Sequence, residues 1–203
     1  MRLLLRTLAV LAALCLVTQT VRHAYLLWFE PRTSVLDKYD RPLRSEIEAA
    51  ESLDALLSKY DGVRKEVDRV KADRLAANPD AHFDGQQDAE PFKSESALRE
   101  AISSWEERAK EVRAVNFYWT IGLVLAVLGL VSFLTFNEWT GVTLMLNGFS
   151  EIVYWTSPTF LAPTREFDRL LVHKLVLSVV SVAALVVAIR LLGIFAAEKR
   201  AGS

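Results

Sequence analysis

Apolar and charged positions fall in separate blocks along this chain instead of alternating within each helix. Val115–Phe136 runs for 22 residues without a charge. At ~1.5 Å per residue that is about 33 Å of helix, enough to cross a hydrocarbon core. Phe117, Tyr118 and Trp119 stand at its start and Phe133, Phe136 and Trp139 at its end, where aromatic side chains favour the two membrane interfaces. The pattern predicts a second span over Leu170–Phe195, whose charge-free centre Leu175–Ile189 is flanked by Lys174 and Arg190; both can snorkel towards headgroups. Thr7–Val21 is uncharged, follows Arg2 and Arg6, and continues into the apolar Ala24–Phe29. Thr18–His23 offers no small-x-small cleavage site, so residues 1–29 read as an uncleaved signal anchor. The fourth block, Trp139–Pro163, is apolar except for Glu151 and is closed by Pro158 and Pro163. It either crosses the bilayer from Thr140 to Ser157 or re-enters as a hairpin over 139–158. Crossing is preferred, because about 18 residues approaches the minimum length.

Between the first and second apolar blocks the periodicity changes. Pro31 stops the first helix and Pro42 can open a new one at its first position. Leu53, Leu56, Tyr60, Val63, Val67 and Val70 then recur at spacings of three and four, an a/d stripe of about two and a half heptads. Asp61-Gly62 falls inside the stripe and would mark a bend or break. A second helix is expected from Ser96, as N-cap, with Leu98, Ile102, Trp105, Ala109 and Val112 on one face, running without interruption into Val115–Phe136. The two stripes bury each other most simply in an antiparallel helical hairpin. A partner's helix is the sharper alternative, and it would use Leu53, Leu56, Tyr60, Val63, Val67, Leu98, Ile102 and Trp105. Ala77–Lys93, with Asn78-Pro79-Asp80, Asp84-Gly85 and Glu90-Pro91, supplies the hairpin tip.

Composition alone would hide this division. The 203 residues are 52% hydrophobic and 24% charged, with a net charge of -1. Yet residues 29–114 hold 15 of the 24 basic and 20 of the 25 acidic side chains. A soluble domain distributes charge over the outer face of every helix. No segment is strongly basic, which excludes an electrostatic nucleic-acid binder. Cys15 is the only cysteine, so no intramolecular disulfide can form; Leu14 before it is too bulky for a lipoprotein signal.

Candidate chemistry is sparse. Glu151 is a carboxylate in an apolar block and should be paired, protonated or turned inward. Asn147 lies one turn before it, and His173 and Lys174 are candidate partners at the start of the last span. Lys174, Ser178 and Ser181, continued by Ala184 and Ala188, form a polar and small stripe suited to close helix packing. The expectation is that Glu151 faces Lys174 across packed helices, as a fastening pair first and as an ion-handling site second. Asp80–Asp88 starts like a calcium loop, but His82 and Pro91 occupy ligand positions, so a polar tip is expected rather than a metal site. His23, His82 and His173 show no metal spacing. Phosphate-binding glycine loops and nucleophile elbows are absent from the sequence.

These features predict an all-α integral membrane protein of about four membrane-embedded helices. An anchor (1–29) precedes a projecting charged hairpin (30–114), and C-terminal membrane helices follow (115–136, 139–158 and 170–195). The expected role is structural: assembly through membrane helix faces, with the hairpin presented to a protein partner or a second copy. The alternative is a small transporter or channel component using Glu151. Neither an enzyme nor a cofactor is expected. Arg2 and Arg6 favour cytoplasmic termini in a bacterial inner membrane, although basic residues also cluster near the membrane ends of the insert.

Overall fold

A computed structural model describes residues 2–31, 33–78, 89–158 and 164–195. Within them the chain is helical: α1 (Arg2–Trp28), α2 (Arg41–Glu48), α3 (Leu53–Ala77), α4 (Phe92–Thr135), α5 (Glu138–Thr156) and α6 (Asp168–Leu191), with a 3-10 turn at Arg165–Phe167 before α6. The single β feature among the described residues is an isolated bridge between Thr33 and Thr164. Of the expected hairpin tip Ala77–Lys93, residues 79–88 lie outside the described residues, and with them the calcium-like stretch 80–88.

The chain forms two compact units. An apolar unit draws on 1–31, 111–163 and 167–203, and a charged unit on 32–110 with 164–166. Among the described residues three helices are long and apolar enough to cross a membrane: Arg2–Trp28, Phe92–Thr135 and Arg165–Leu191. The expected fourth is present as the uninterrupted helix α5 but does not join them. Glu138, Asn147 and Glu151, with several Thr, Ser and Gly residues, interrupt its apolar sequence. Gly193, at φ 58°, follows the end of α6 and donates to the Arg190 carbonyl; a left-handed residue here closes a helix, and glycine adopts it without a Cβ penalty.

In the apolar unit α1 packs chiefly on α6. The pair is antiparallel: Leu26 and Leu27 meet Leu171 near one end, and the Arg6 Nε donates to the Ile194 carbonyl at the other, 2.9 Å away. Glycines bring α4 and α5 together. A Cβ added to Gly148 would lie 2.4 Å from the Gly122 oxygen, and one on Gly129 would lie 2.6 Å from the Met145 nitrogen. Real Cβ atoms do not approach backbone so closely, so the two helices touch main chain to main chain. The outer faces are apolar: Val10, Val17 and Val21 on α1, Val124 and Val131 on α4, and Val172 and Val179 on α6 are exposed.

The charged unit has an ordinary water-facing plan. Leu36, Ile47, Leu56, Ala97 and Leu98 are its buried centre, with Tyr60, Val63, Ile102 and Trp105 packed around them. The expected continuous helix from Pro42 is instead two. It ends at Ala49 and restarts behind Ser52, whose Oγ accepts from the Ala55 amide at 3.2 Å; that bond satisfies one free amide of the new first turn. Asp61-Gly62 does not break α3. Gly62 is exposed with open space around it, and a lone helical glycine costs only about 1 kcal/mol. Nor does Ser96 cap α4, which begins at Phe92, just after Pro91; proline supplies a preset φ where no amide partner is needed. The continuous run of α4 from charged into apolar sequence is as expected.

Candidate functional site

A set of polar side chains gathers in the interior of the apolar unit. On α1, Gln19 and His23 are one turn apart and buried. Thr156 closes the buried face of α5. On α6, Lys174, Ser178 and Ser181 follow at spacings of four and three, so one stripe carries all three, and each is buried. Glu111 and Trp119 reach the same unit from α4.

Hydrogen bonds join these groups across helices. Gln19 Nε2 donates to the Val153 carbonyl and to Thr156 Oγ1, both at 3.1 Å. Thr156 Oγ1 in turn donates to the Ile152 carbonyl at 2.6 Å. His23 Nδ1 lies 2.8 Å from the Gln19 carbonyl. A carbonyl only accepts, so Nδ1 carries the proton. Lys174 Nζ donates to the Ser157 carbonyl at 3.3 Å and lies 3.8 Å from Glu111 Oε2. Trp119 Nε1 donates to Ser181 Oγ at 3.0 Å. Among the described residues three buried atoms of this cluster have no partner: Gln19 Oε1, His23 Nε2 and Ser178 Oγ. Unpaired polar atoms in a low-dielectric interior are costly, and they confine this cluster to tightly packed helices.

The expected pairing of Glu151 with Lys174 is replaced by two other contacts. Lys174 takes Glu111, one turn before the apolar part of α4. Glu151 Oε2 accepts from Trp155 Nε1 at 3.1 Å, and Trp155 stacks on Tyr118 with ring centroids 4.2 Å apart. Glu151 is only half-buried and Asn147 is exposed. His173 faces a third direction, its Nε2 donating to Asn116 Oδ1 at 2.6 Å. Of the six polar positions singled out in the apolar helices, the structure brings together Lys174, Ser178 and Ser181. Gln19, His23, Thr156 and Glu111 complete the cluster. The available signal was the i,i+4 pair Gln19/His23 inside an otherwise apolar helix.

Six of the eight candidate partner-binding residues, Leu56, Tyr60, Val63, Leu98, Ile102 and Trp105, lie in or against the core of the charged unit. Leu56, Val67 and Leu98 are buried, and Leu53, Tyr60, Val63, Ile102 and Trp105 are half-buried. The two stripes thus pack on each other through Leu56, Tyr60, Val63, Leu98, Ile102 and Trp105. Polar contacts surround them: Lys38 donates to Glu100 and Arg44 to Asp37, each at 2.6 Å, and Lys93 pairs with Asp40. The Ser34 amide donates to Asp37 and holds its carboxyl below the usual aspartate range, with Arg44 and Arg165 adding to the effect. Glu100 accepts from Lys38 and raises its ammonium above the usual lysine value. The described residues contain no group of three or more metal-ligating side chains. No family model, curated protein or solved structure matches the chain.

Proposed function

We propose that this chain is a non-catalytic membrane assembly protein. Its apolar helices hold it in the bilayer, and its charged helical unit is offered to a protein partner. One observation carries this reading: Gln19 of α1 and Lys174 of α6 spend their donors on Val153, Thr156 and Ser157, at the C-terminal end of α5. They fasten the apolar unit, as interhelical hydrogen bonds do where the surroundings offer no water. The exposed charged residues of α3, such as Arg64, Lys65 and Asp68, then form the face available to a partner.

Four membrane-embedded helices are part of this proposal. The glycine contacts between α4 and α5 and the packing of α5 on α6 support placing α5 beside the spans. With four crossings both termini share a side. Arg2 and Arg6 favour the cytoplasm of a bacterial inner membrane, with α1 as an uncleaved signal anchor. In a Cys15→Ser background, Ser58→Cys would then react with a membrane-impermeant maleimide applied from outside the cell.

The assembly reading is tested by photo-crosslinking in native membranes from exposed positions 64 and 68 of α3. The expected result is one defined adduct that is absent when the crosslinker sits at exposed position 17 of α1. Diffuse or absent adducts from α3 would overturn the reading. A second reading, a small transporter or channel component, draws on the buried cation and imidazole of Lys174 and His23. It requires ion or proton flux that depends on them.

A further inference from the structure

α5 carries a polar stripe on its outer face. Gly141, Val142, Gly148, Ile152 and Thr156 are its buried positions. Thr143, Asn147, Ser150 and Tyr154 are exposed. Steps of four, three and four residues keep all four within an arc of about 60°. Asn147 is the central residue of this 19-residue helix. Thr143 Oγ1 donates to the Trp139 carbonyl at 3.0 Å and its oxygen can still accept. Among the described residues the Asn147 amide and the Ser150 hydroxyl have no hydrogen-bond partner. Glu151, at the edge of the stripe, is tied to Trp155.

With α5 in the bilayer, lipid tails offer no donor or acceptor to an amide at mid-helix. Such a group is costly facing hydrocarbon and is satisfied by bonding to another helix. The chemistry of the stripe selects that helix. Thr143, Asn147, Ser150 and Tyr154 bear no charge, so nothing among them calls for a charged partner. An amide and a hydroxyl each donate and accept, so an identical stripe satisfies every group on this one. Copies inserted with one topology lie parallel, and a two-fold axis along the membrane normal sets each residue on the axis against its own counterpart. Thr143 and Ser150 are seven residues apart, the repeat of left-handed helix pairs. Both are small, which lets the two helices approach until the Asn147 amides meet.

We infer that the Thr143, Asn147, Ser150 and Tyr154 face of α5 is an interface with a second copy of this chain, with the two Asn147 amides bonding across a two-fold axis. This interface rests on the placement of α5 in the bilayer. It names the membrane helix face through which the chain assembles, and it covers the residues at the middle of α5 that hydrocarbon would leave unsatisfied.

The test uses the full-length protein in native membranes, in a Cys15→Ser background. Single cysteines Thr143→Cys and Ser150→Cys are compared with Val124→Cys and Val179→Cys, at exposed positions of α4 and α6. Oxidation with copper phenanthroline should give disulfide-linked dimers at 143 and 150, and at 124 and 179 no more than random collision gives. Adding Asn147→Leu, at an exposed position that leaves the chain's own packing intact, should lower the cross-linked fraction of Thr143→Cys about fivefold. Asn147→Gln keeps an amide and should retain most of it. Dimers at all four positions, or dimers indifferent to Asn147→Leu, would overturn the inference. So would a photo-crosslink from position 146 to a protein of different mass in place of a second copy. Labelling of unoxidised membranes with a water-soluble maleimide separates the two claims. Rapid labelling of Ser150→Cys puts this face of α5 in water and overturns both the bilayer placement and the interface. Protection from the maleimide without dimers leaves the placement standing and overturns the interface alone.

Discussion

The apolar unit and the charged unit place the same kinds of side chain on opposite sides. In the charged unit Leu56, Ala97 and Leu98 are inside, and pairs such as Lys38–Glu100 lie at the surface. In the apolar unit His23, Thr156, Lys174 and Ser178 are inside, and Val124, Val131 and Val179 are exposed. Water rewards the first arrangement through the burial of hydrocarbon. A lipid surroundings removes that drive and leaves close packing and polar contacts to hold helices together. The difference also appears in how each unit uses glycine, since Gly148 is held against the main chain of Gly122 and Gly62 faces open space.

Five substitutions or titrations would break or sharpen that contrast. Leu56→Ala should cost the charged unit about 2–5 kcal/mol, the usual range for emptying a core leucine site; chemical denaturation followed by circular dichroism measures it. Gly148→Ala should cost the apolar unit about 1–3 kcal/mol, because the added methyl meets backbone that cannot turn aside. Thermal unfolding in detergent should show it, and an unchanged midpoint would deny the close approach of α4 and α5. Gln19→Leu should cost about 1–2 kcal/mol in the same assay, since it takes a donor away from the Val153 carbonyl and the Thr156 oxygen in the interior.

Gly62→Ala should have the opposite sign. It should stabilise the charged unit by about 0.5–1 kcal/mol, as alanine does at an open helical position. The smallest effect is a local one. Asp37 has its carboxyl lowered, so the contact with the Ser34 amide is fully present above the ordinary aspartate value. It is lost only as pH falls through the lower folded value. The Ser34 amide resonance should therefore titrate with a midpoint below that of a free aspartate. A midpoint at or above the free value would contradict the turn geometry.

The sequence made some of these features legible and hid others for physical reasons. Blocks of uncharged residues reported α1, α4 and α6, because the length needed to cross a bilayer is fixed by helix rise. The stripe through Leu56, Val63 and Leu98 reported a packed core, but periodicity could not reveal that residues 33–40 and α2 share it. The break before Ser52 depends on one capping bond that competes closely with helix continuation. Glu151 drew attention as the most conspicuous charge in an apolar block. Its helix places it beside Trp155, while Lys174 finds Glu111, a residue that reads as part of the charged insert. The glycine contacts rest on Gly122 and Gly129 meeting Gly148 and Gly141. Their seven-residue spacing is visible along the chain, but the pairing between helices is not.

The central claim is that the buried polar cluster fastens helices and carries no current. The direct measurement is proton and alkali-cation flux into liposomes containing the purified full-length protein, compared with protein-free liposomes of the same lipid. The account predicts no protein-dependent flux, together with lower thermal stability in Gln19→Leu. Flux that appears with the wild-type protein and disappears in Lys174→Met or His23→Leu, with both variants inserted and folded, would contradict it.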